Sequence, residues 1–366
     1  MHPIINPAAY ISKEFFLRDL ELMRTNWHFA GFVFEILNHD DFLTTRIGEV
    51  DLVLQNFKGS VAAFTNVCSH RFSQIQTQPE GNRSLRCPYH GWAYGFDGIP
   101  VGVPKKGSFP ELADPVCREK FKLEQWEVDT CGQLIFVRQK FGGLTLREFL
   151  GEIYDRVENM TSAFGERIDK NSFVIQANWK VAIENTLECY HCAEVHPDSF
   201  ANFIVIGNDI RDEKLHSSWH TAISERYASG LGRVEKIFAS RPVNIAGYFH
   251  QLIFPNLTLV TTNGLTYHLQ IFDPVSPHET LFISHSFLTK LSPQVSVNPE
   301  IKRGLVASSI DFNRRVFEED RVICETVQKG LRFPPVGAAG ILADDEVRIQ
   351  WFQQQVVSSA AFNAVI

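Results

Sequence analysis

Two short motifs, Cys68-Ser69-His70 and Cys87-Pro88-Tyr89-His90, constrain this chain more than any other feature; sixteen residues separate them. Two thiolates and two imidazoles delivered by two short loops form a metal-binding set. A [2Fe–2S] cluster of mixed ligation takes both thiolates on one iron and both imidazoles on the other. Tetrahedral zinc accepts the same donors. The loop pattern favours the cluster, because each loop carries one Cys and one His and so supplies one ligand to each iron. Zinc ribbons more often use Cys-x-x-Cys knuckles. Cys68, His70, Cys87 and His90 are therefore the candidate cluster ligands, and Gly95 and Gly98 bracket a turn just after them.

A cluster of this kind moves single electrons, so a destination is expected. The stretch Asn178 to Pro197 contains His191 and His196, five residues apart. On an unbroken helix that spacing points the rings about 140° from each other. They can share a metal only if the helix loosens or ends between them. Pro197 supplies a reason, since the residue before proline is pushed out of helical geometry. The expectation is His191 from the last turns of a helix and His196 just beyond it. Two imidazoles plus one carboxylate make an iron(II) site with open positions for O2. For the carboxylate, Leu305 to Leu331 reads as a helix whose stripe holds Val306, Ile310, Phe317, Cys324, Val327 and Leu331, with Gly330 as its cap. Asp320 falls inside that stripe, whereas Glu318 and Glu319 fall off it. A buried carboxylate needs a partner or a metal; pairing with Arg321 is the competing explanation.

With these residues in hand, the chain resembles, nearly end to end, the terminal oxygenase (alpha subunit) of Rieske non-haem iron aromatic-ring-hydroxylating oxygenases. The two Cys/His pairs match the family's cluster motif, and Glu188-x-x-His191-x4-His196 is similar to its iron-site motif. The resemblance implies His191, His196 and Asp320 as iron ligands. It implies Glu188 as the acid linking the two metal centres, with Asn185 beside it as a further catalytic candidate. Two departures stand out: Arg71-Phe72 where the family commonly has Arg-Gly, and Glu where the bridging acid is often Asp. The segment Asn185 to His196 is most similar to the branch oxidising quaternary amines such as betaines, carnitine or choline. For such a cation an aromatic cage is expected, with Phe203, Tyr248, Phe249 and Tyr267 as candidates.

The resemblance also implies an α+β fold: a small antiparallel β Rieske domain (37–145) and a helix-grip, START-like catalytic domain with a curled antiparallel sheet (1–36 and 146–366). Its implied cofactors are a [2Fe–2S] cluster and a mononuclear Fe(II). The implied partners are a small-molecule substrate, O2 and an NAD(P)H-dependent reductase, with or without a ferredoxin, and the implied assembly is a cytoplasmic homotrimer. Hydroxylation or N-demethylation is the leading expectation. Aromatic cis-dihydroxylation is the alternative, and an electron carrier without catalysis is the third.

Composition is consistent with this. At 366 residues the chain can bury two cores; a net charge of −7 without a basic run argues against nucleic acid. No run of eighteen apolar residues is present, which argues against a membrane span, and the N-terminus lacks a signal-peptide pattern. Cys117, Cys131, Cys189, Cys192 and Cys324 are expected as free thiols, Cys189 and Cys192 packing around His191. Apolar patterning predicts helices over 13–28 and 146–164, strands at Leu52–Leu54, Val61–Phe64 and Gln133–Val137, and three strands within Gln251–Thr289.

Overall fold

The computed structural model describes all residues except 140, 206, 208, 231–240, 292–296, 336–339 and 360–366. Two compact units are present, Met23–Phe149 and the pairing of Met1–Leu22 with Leu150–Ile366. The described secondary structure is mixed helix and antiparallel sheet, as the α+β reading requires.

In the unit Met23–Phe149 a seven-stranded antiparallel sheet has the order β1-β9-β8-β4-β3-β2-β5. Its strands are β1 (His28–Phe32), β2 (Asp41–Ile47), β3 (Val50–Phe57), β4 (Ser60–Thr65), β5 (Glu80–Asn82), β8 (Gln125–Cys131) and β9 (Leu134–Arg138). A two-stranded ribbon, β6 (Ala93–Tyr94) with β7 (Pro100–Gly102), completes it. The runs Leu52–Leu54 and Ala62–Phe64 form β3 and β4, with Leu54 opposite Ala63. Val53 and Phe64 build a core with Trp92, Tyr94 and the two cysteines Cys68 and Cys87. The domain start expected at residue 37 moves to Met23. The cause is β1, which pairs with β9 (His28 opposite Val137) and so belongs to this sheet.

The other unit holds a second seven-stranded antiparallel sheet, ordered β10-β16-β15-β14-β13-β12-β11. Its members are β10 (Phe164–Ile175), β11 (Asp209–Glu213), β12 (His216–Thr221), β13 (Tyr248–Ile253), β14 (Leu257–Thr262), β15 (Thr266–Ser276) and β16 (Glu279–Thr289). Within Gln251–Thr289, where three strands are expected, the structure has four. Pro255 lies between β13 and β14 and separates them, since proline favours turns over ladder positions. The helix expected over 146–164 breaks at Gly151, whose φ is +50°, and the polar strand β10 follows it unannounced by any hydrophobic alternation.

The helices that lie wholly within the described residues are, in chain order, α1 (Lys13–Thr25), α2 (Pro115–Glu119), α3 (Leu146–Leu150), α4 (Tyr154–Ser162), α5 (Trp179–Thr186), α6 (Cys192–Val195), α7 (Phe200–Phe203), α8 (Pro299–Gly330) and α9 (Val347–Ser358). Helix α8 begins six residues before the expected Leu305. Asn298 caps it by accepting from the Glu300 N–H at 2.8 Å, and Pro299 takes the first turn. Its last residue is Gly330, and Leu331, in right-handed geometry, is the cap instead. Across the sheet, Phe173, Phe282 and Phe272 stand in register on three adjacent strands. Phe317 of α8 packs edge-on to Phe282 at 4.9 Å. This aromatic row is what seats the long helix on the sheet.

Helix α5 is anchored from the N-terminal segment. Lys180 and Asp19 form an ion pair with both side chains fully buried. Breaking such a pair from one side costs about 3–5 kcal/mol. Beside it, Glu184 accepts hydrogen bonds from the Tyr10 hydroxyl (2.7 Å) and Gln353 Nε2 (3.0 Å). Burial pushes the Glu184 carboxyl up to about 7, against the pull of Gln353, Tyr10 and Lys180. The unfolded chain releases this proton near the ordinary 4.5, the folded chain near 7. The stabilising contribution is therefore complete below pH 4.5 and lost as pH rises through 7. Glu184→Gln keeps the acceptor and removes the titration. Its thermal stability relative to the parent should be higher at pH 8 than at pH 5 by the equivalent of about 2 kcal/mol; an equal difference at both pH values contradicts this.

Candidate metal centres

The two Cys/His motifs fold into two turns of the same design. Cys68 N–H donates to Ser73 O (2.8 Å) and Phe72 N–H to Cys68 O (2.9 Å). In parallel, Cys87 N–H donates to Trp92 O (2.8 Å) and Gly91 N–H to Cys87 O (3.0 Å). The residue four after each cysteine takes a left-handed conformation, φ +61° at Phe72 and +74° at Gly91. Such a φ costs a non-glycine residue about 1 kcal/mol or more. Phe72, the position where the family commonly has glycine, thus keeps the turn and accepts the strain, the residue being 80% exposed.

Cys68 and Cys87 are buried, and the His70 and His90 rings lie 4.7 Å apart. His70 stacks on Trp92 with 1° between planes. Its Nδ1 is buried without a hydrogen-bond partner, an arrangement that a metal bond satisfies. Burial keeps the Tyr94 phenol protonated, its pKa raised further by the neighbouring Cys68 sulfur. Tyr94 Oη lies 3.0 Å from Cys68 Sγ, a distance at which it would donate to a metal-bound thiolate, while it accepts from the Ser69 N–H at 3.2 Å. Two buried sulfurs, a paired set of imidazoles and a phenol on one sulfur fit a His-ligated [2Fe–2S] cluster.

The second site lies within the other unit. His191 Nε2 is 3.6 Å and His196 Nε2 3.1 Å from Asp320 Oδ1. One ligand atom from each of the three residues lies within 4.8 Å of the others. The far side of each ring is held by a different carboxylate. His191 Nδ1 donates to Glu188 Oε1 at 2.5 Å, and His196 Nδ1 to Glu319 Oε2 at 2.7 Å. Ser199 Oγ adds a donation to the same Glu319 oxygen at 2.6 Å. Both Nε2 atoms are thereby turned toward Asp320. Asn185 Nδ2 donates to Asp320 Oδ1 at 2.7 Å and so fixes that carboxylate as well.

Burial works against a charge on His191, yet its hydrogen bonds to Asp320 and Glu188 prevail and lift its pKa to about 9. His196 is raised by Asp320 and Glu319 in the same way, against burial. Burial would raise the Asp320 carboxyl, but hydrogen bonds from both histidines lower it. Three charge-coupled groups with converging ligand atoms fit a mononuclear iron with open coordination positions, the metal taking the place of the Nε2 protons.

Several expectations need correction here. Helix α5 ends at Thr186, before His191, so His191 does not come from its last turns. Glu188 Oε2 accepts from the N–H groups of Tyr190 and His191, a local bond that competes with helix continuation. His191 and His196 instead bracket the single turn of α6 as its two caps. Cys189 and Cys192, expected as free thiols, are joined by a disulfide within this loop, their Cα atoms 5.0 Å apart. Arg321 pairs with Glu318 and Glu325, not with Asp320. Glu319, dismissed because it lies off the apolar stripe, reaches around α8 to His196; being the acid next to a ligand was its only sequence signal.

The three residues border a cavity of about 680 Å3, whose walls include Phe200, Trp219, Tyr248, His250 and Phe317. A second cavity, of about 950 Å3, shares Phe200, Tyr248, Gln270, Val316 and Phe317 with it. Of the four expected cage residues, Phe203 and Tyr248 line these cavities. Phe249 and Tyr267 face the other side of the sheet, Phe249 against Arg156 and Tyr267 against Phe164. Strand alternation separates Tyr248 from Phe249. Trp219, 5.6 Å from Tyr248, and Phe312, 5.3 Å from Phe203, complete the aromatic wall and were missed.

Residues 26–117 match the Rieske [2Fe–2S] domain, and residues 157–361 match the ring hydroxylating alpha subunit (catalytic domain). The second match covers more than half of the chain, which therefore belongs to the ring-hydroxylating alpha subunits, with a Rieske cluster and a mononuclear iron as the implied cofactors. Among its relatives is the glycine betaine monooxygenase oxygenase subunit of Chromohalobacter salexigens, 28% identical over 62% of this chain and 50% of that protein. The carnitine monooxygenase oxygenase subunit of Acinetobacter pittii is 25% identical over 93% of this chain and 88% of its own. The chain spans about half the length of the glycine betaine relatives it matches. In fold it is similar to the quaternary ammonium Rieske monooxygenase CntA in complex with L-carnitine, with TM-score 0.77, 20% identity, and coverage of 96% and 94% of the two chains.

Asp320→Ala should abolish binding of the mononuclear iron, while Glu319→Ala should weaken it by about 10–100-fold. The visible spectrum of the cluster should be unchanged in both. Iron titration of the metal-depleted variants checks this; full iron affinity in Asp320→Ala would move the carboxylate ligand to Glu319 or another acid.

Proposed function

We propose that this chain is a terminal oxygenase that uses O2 and reductase-delivered electrons to hydroxylate or N-demethylate a small quaternary amine. The observation that carries the reading is the convergence of His191, His196 and Asp320 at the end of an aromatic-walled cavity. In this reading Cys68, His70, Cys87 and His90 hold the cluster, and His191, His196 and Asp320 hold the iron. When bound, the cluster supplies single electrons and the iron supplies the O2-activating centre.

The chain's own residues do the rest. Glu188 and Glu319 hold the Nδ1 protons and orient the two imidazoles. Asn185 steadies the Asp320 carboxylate. The aromatic walls exclude water and offer π faces to a cation that carries no N–H to donate. Phe200 lies 5.1 Å edge-to-face from Tyr248, and Phe203 lies 5.3 Å from Tyr227. Such faces stabilise a desolvated quaternary ammonium by about 2 kcal/mol. Support for this substrate class also comes from the glycine betaine and carnitine oxygenase relatives. A carrier without catalysis would have no use for a second, cavity-facing metal site.

The reading extends to a cytoplasmic homotrimer, reduced from NAD(P)H through a reductase, in which Glu188 links His191 to a cluster histidine of a neighbouring copy. Among the described residues no helix is long and apolar enough to cross a membrane. The test is a panel of trimethylammonium compounds and arenes turned over with the reductase under 18O2. The expected result is amine oxidation with one labelled oxygen atom per turnover, the demethylating branch releasing formaldehyde. Arene cis-diols with two labelled atoms, and no amine turnover, would instead establish the aromatic dihydroxylation reading.

A further inference from the structure

On the wall of the cavity that His191, His196 and Asp320 border stands His250 of β13, in register between Trp219 and Val260. Its Nδ1 faces Arg348 Nη2 of α9 at 3.1 Å. A guanidinium has only donors, so Nδ1 must be the acceptor and the ring proton must sit on Nε2. Burial and Arg348 together lower the His250 pKa well below its ordinary value, so the ring is neutral. Nε2–H is buried and has no protein partner.

Arg348 itself is fully buried. Its other contacts are Ser217 Oγ (3.0 Å), Ser217 O (3.2 Å) and Leu187 O (3.4 Å), all neutral acceptors. Among the described residues no carboxylate forms an ion pair with it; Glu213 acts on its charge from further off and is itself paired with Arg156. A buried cation without a counter-ion is costly and calls for an anion nearby. No lysine or arginine lines either cavity among the described residues. Arg348 lies behind this wall, and His250 is the wall residue that accepts its hydrogen bond.

We infer that His250 is a substrate-binding residue: its Nε2–H donates to an anionic oxygen of the substrate, with Arg348 as the positioning residue behind it. Resting on the quaternary amine reading, this selects zwitterions, compounds bearing a carboxylate as well as the ammonium, over cations that end in an alcohol or ester. The ammonium lies among the aromatic rings and the carboxylate at His250, so the substrate is held at both ends before any chemistry.

The experiment compares steady-state turnover of a carboxylate-bearing trimethylammonium compound with that of its methyl ester, using the metal-loaded enzyme and its reductase. The parent should prefer the carboxylate by about 10–100-fold, chiefly through KM, the range of one hydrogen bond to a charged group. In His250→Phe, which keeps a ring and removes the donor, that ratio should collapse toward one. His250→Gln, which keeps an N–H donor, should restore much of it. Should His250→Phe fail to fold, the parent ratio and the Gln variant decide. A parent that oxidises acid and ester equally well overturns this assignment and leaves the amine reading standing. Equal losses on both compounds in His250→Phe also overturn it, by making His250 merely structural. A parent that oxidises neither removes the amine reading and this assignment with it.

Discussion

Two hydrogen bonds from imidazole to carboxylate, His191 to Glu188 and His196 to Glu319, set the character of the catalytic unit. Each fixes a ring orientation and turns an Nε2 atom toward Asp320. Without them two histidines five residues apart would have no reason to face one point. Much of the unit can be understood as support for this arrangement. Glu188 reaches His191 because the helix ends at Thr186. Glu319 reaches His196 because α8 is seated on the Phe173, Phe282 and Phe272 row through Phe317. The buried Lys180–Asp19 pair holds α5, which carries Asn185 to Asp320.

The residues with chemistry were largely legible in the sequence, because metal chemistry permits few donors at few spacings. The structure brings together His70 with His90, and His191 and His196 with Asp320, residues that this logic selects, and apolar periodicity selects Asp320 over its neighbours. Glu319 was illegible for the same reason: periodicity reports which face of a helix is buried, and a long side chain can reach across from the edge of that face. The cage was half legible. Aromatic residues could be counted, but the pleat that sends Tyr248 inward and Phe249 outward depends on a register no composition reveals. Boundaries failed where a local signal was weak or competing, as at Pro255, at Gly151 and in the polar strand β10.

The cluster loops show a different lesson. Glycine is the residue suited to the left-handed position in each turn, and only the second turn has it. At Phe72 the loop keeps its geometry through its paired backbone hydrogen bonds, Cys68 N–H to Ser73 O and Phe72 N–H to Cys68 O. Turn shape is thus held by the backbone pattern and the buried cysteine, and the favoured residue only lowers its cost. The Cys189–Cys192 disulfide likewise replaces an expected pair of packed thiols with a covalent closure of the very loop that bears Glu188 and His191.

The central claim is that one chain holds two separate iron centres with separate ligand sets. Iron and acid-labile sulfide analysis of the purified protein, combined with Mössbauer spectroscopy, tests it most directly. The account predicts three irons and two sulfides per chain, two irons in a His/Cys-ligated pair and one high-spin iron(II) in a nitrogen and oxygen environment. Two irons per chain with no mononuclear signal, or stoichiometric zinc in a colourless protein, would contradict it.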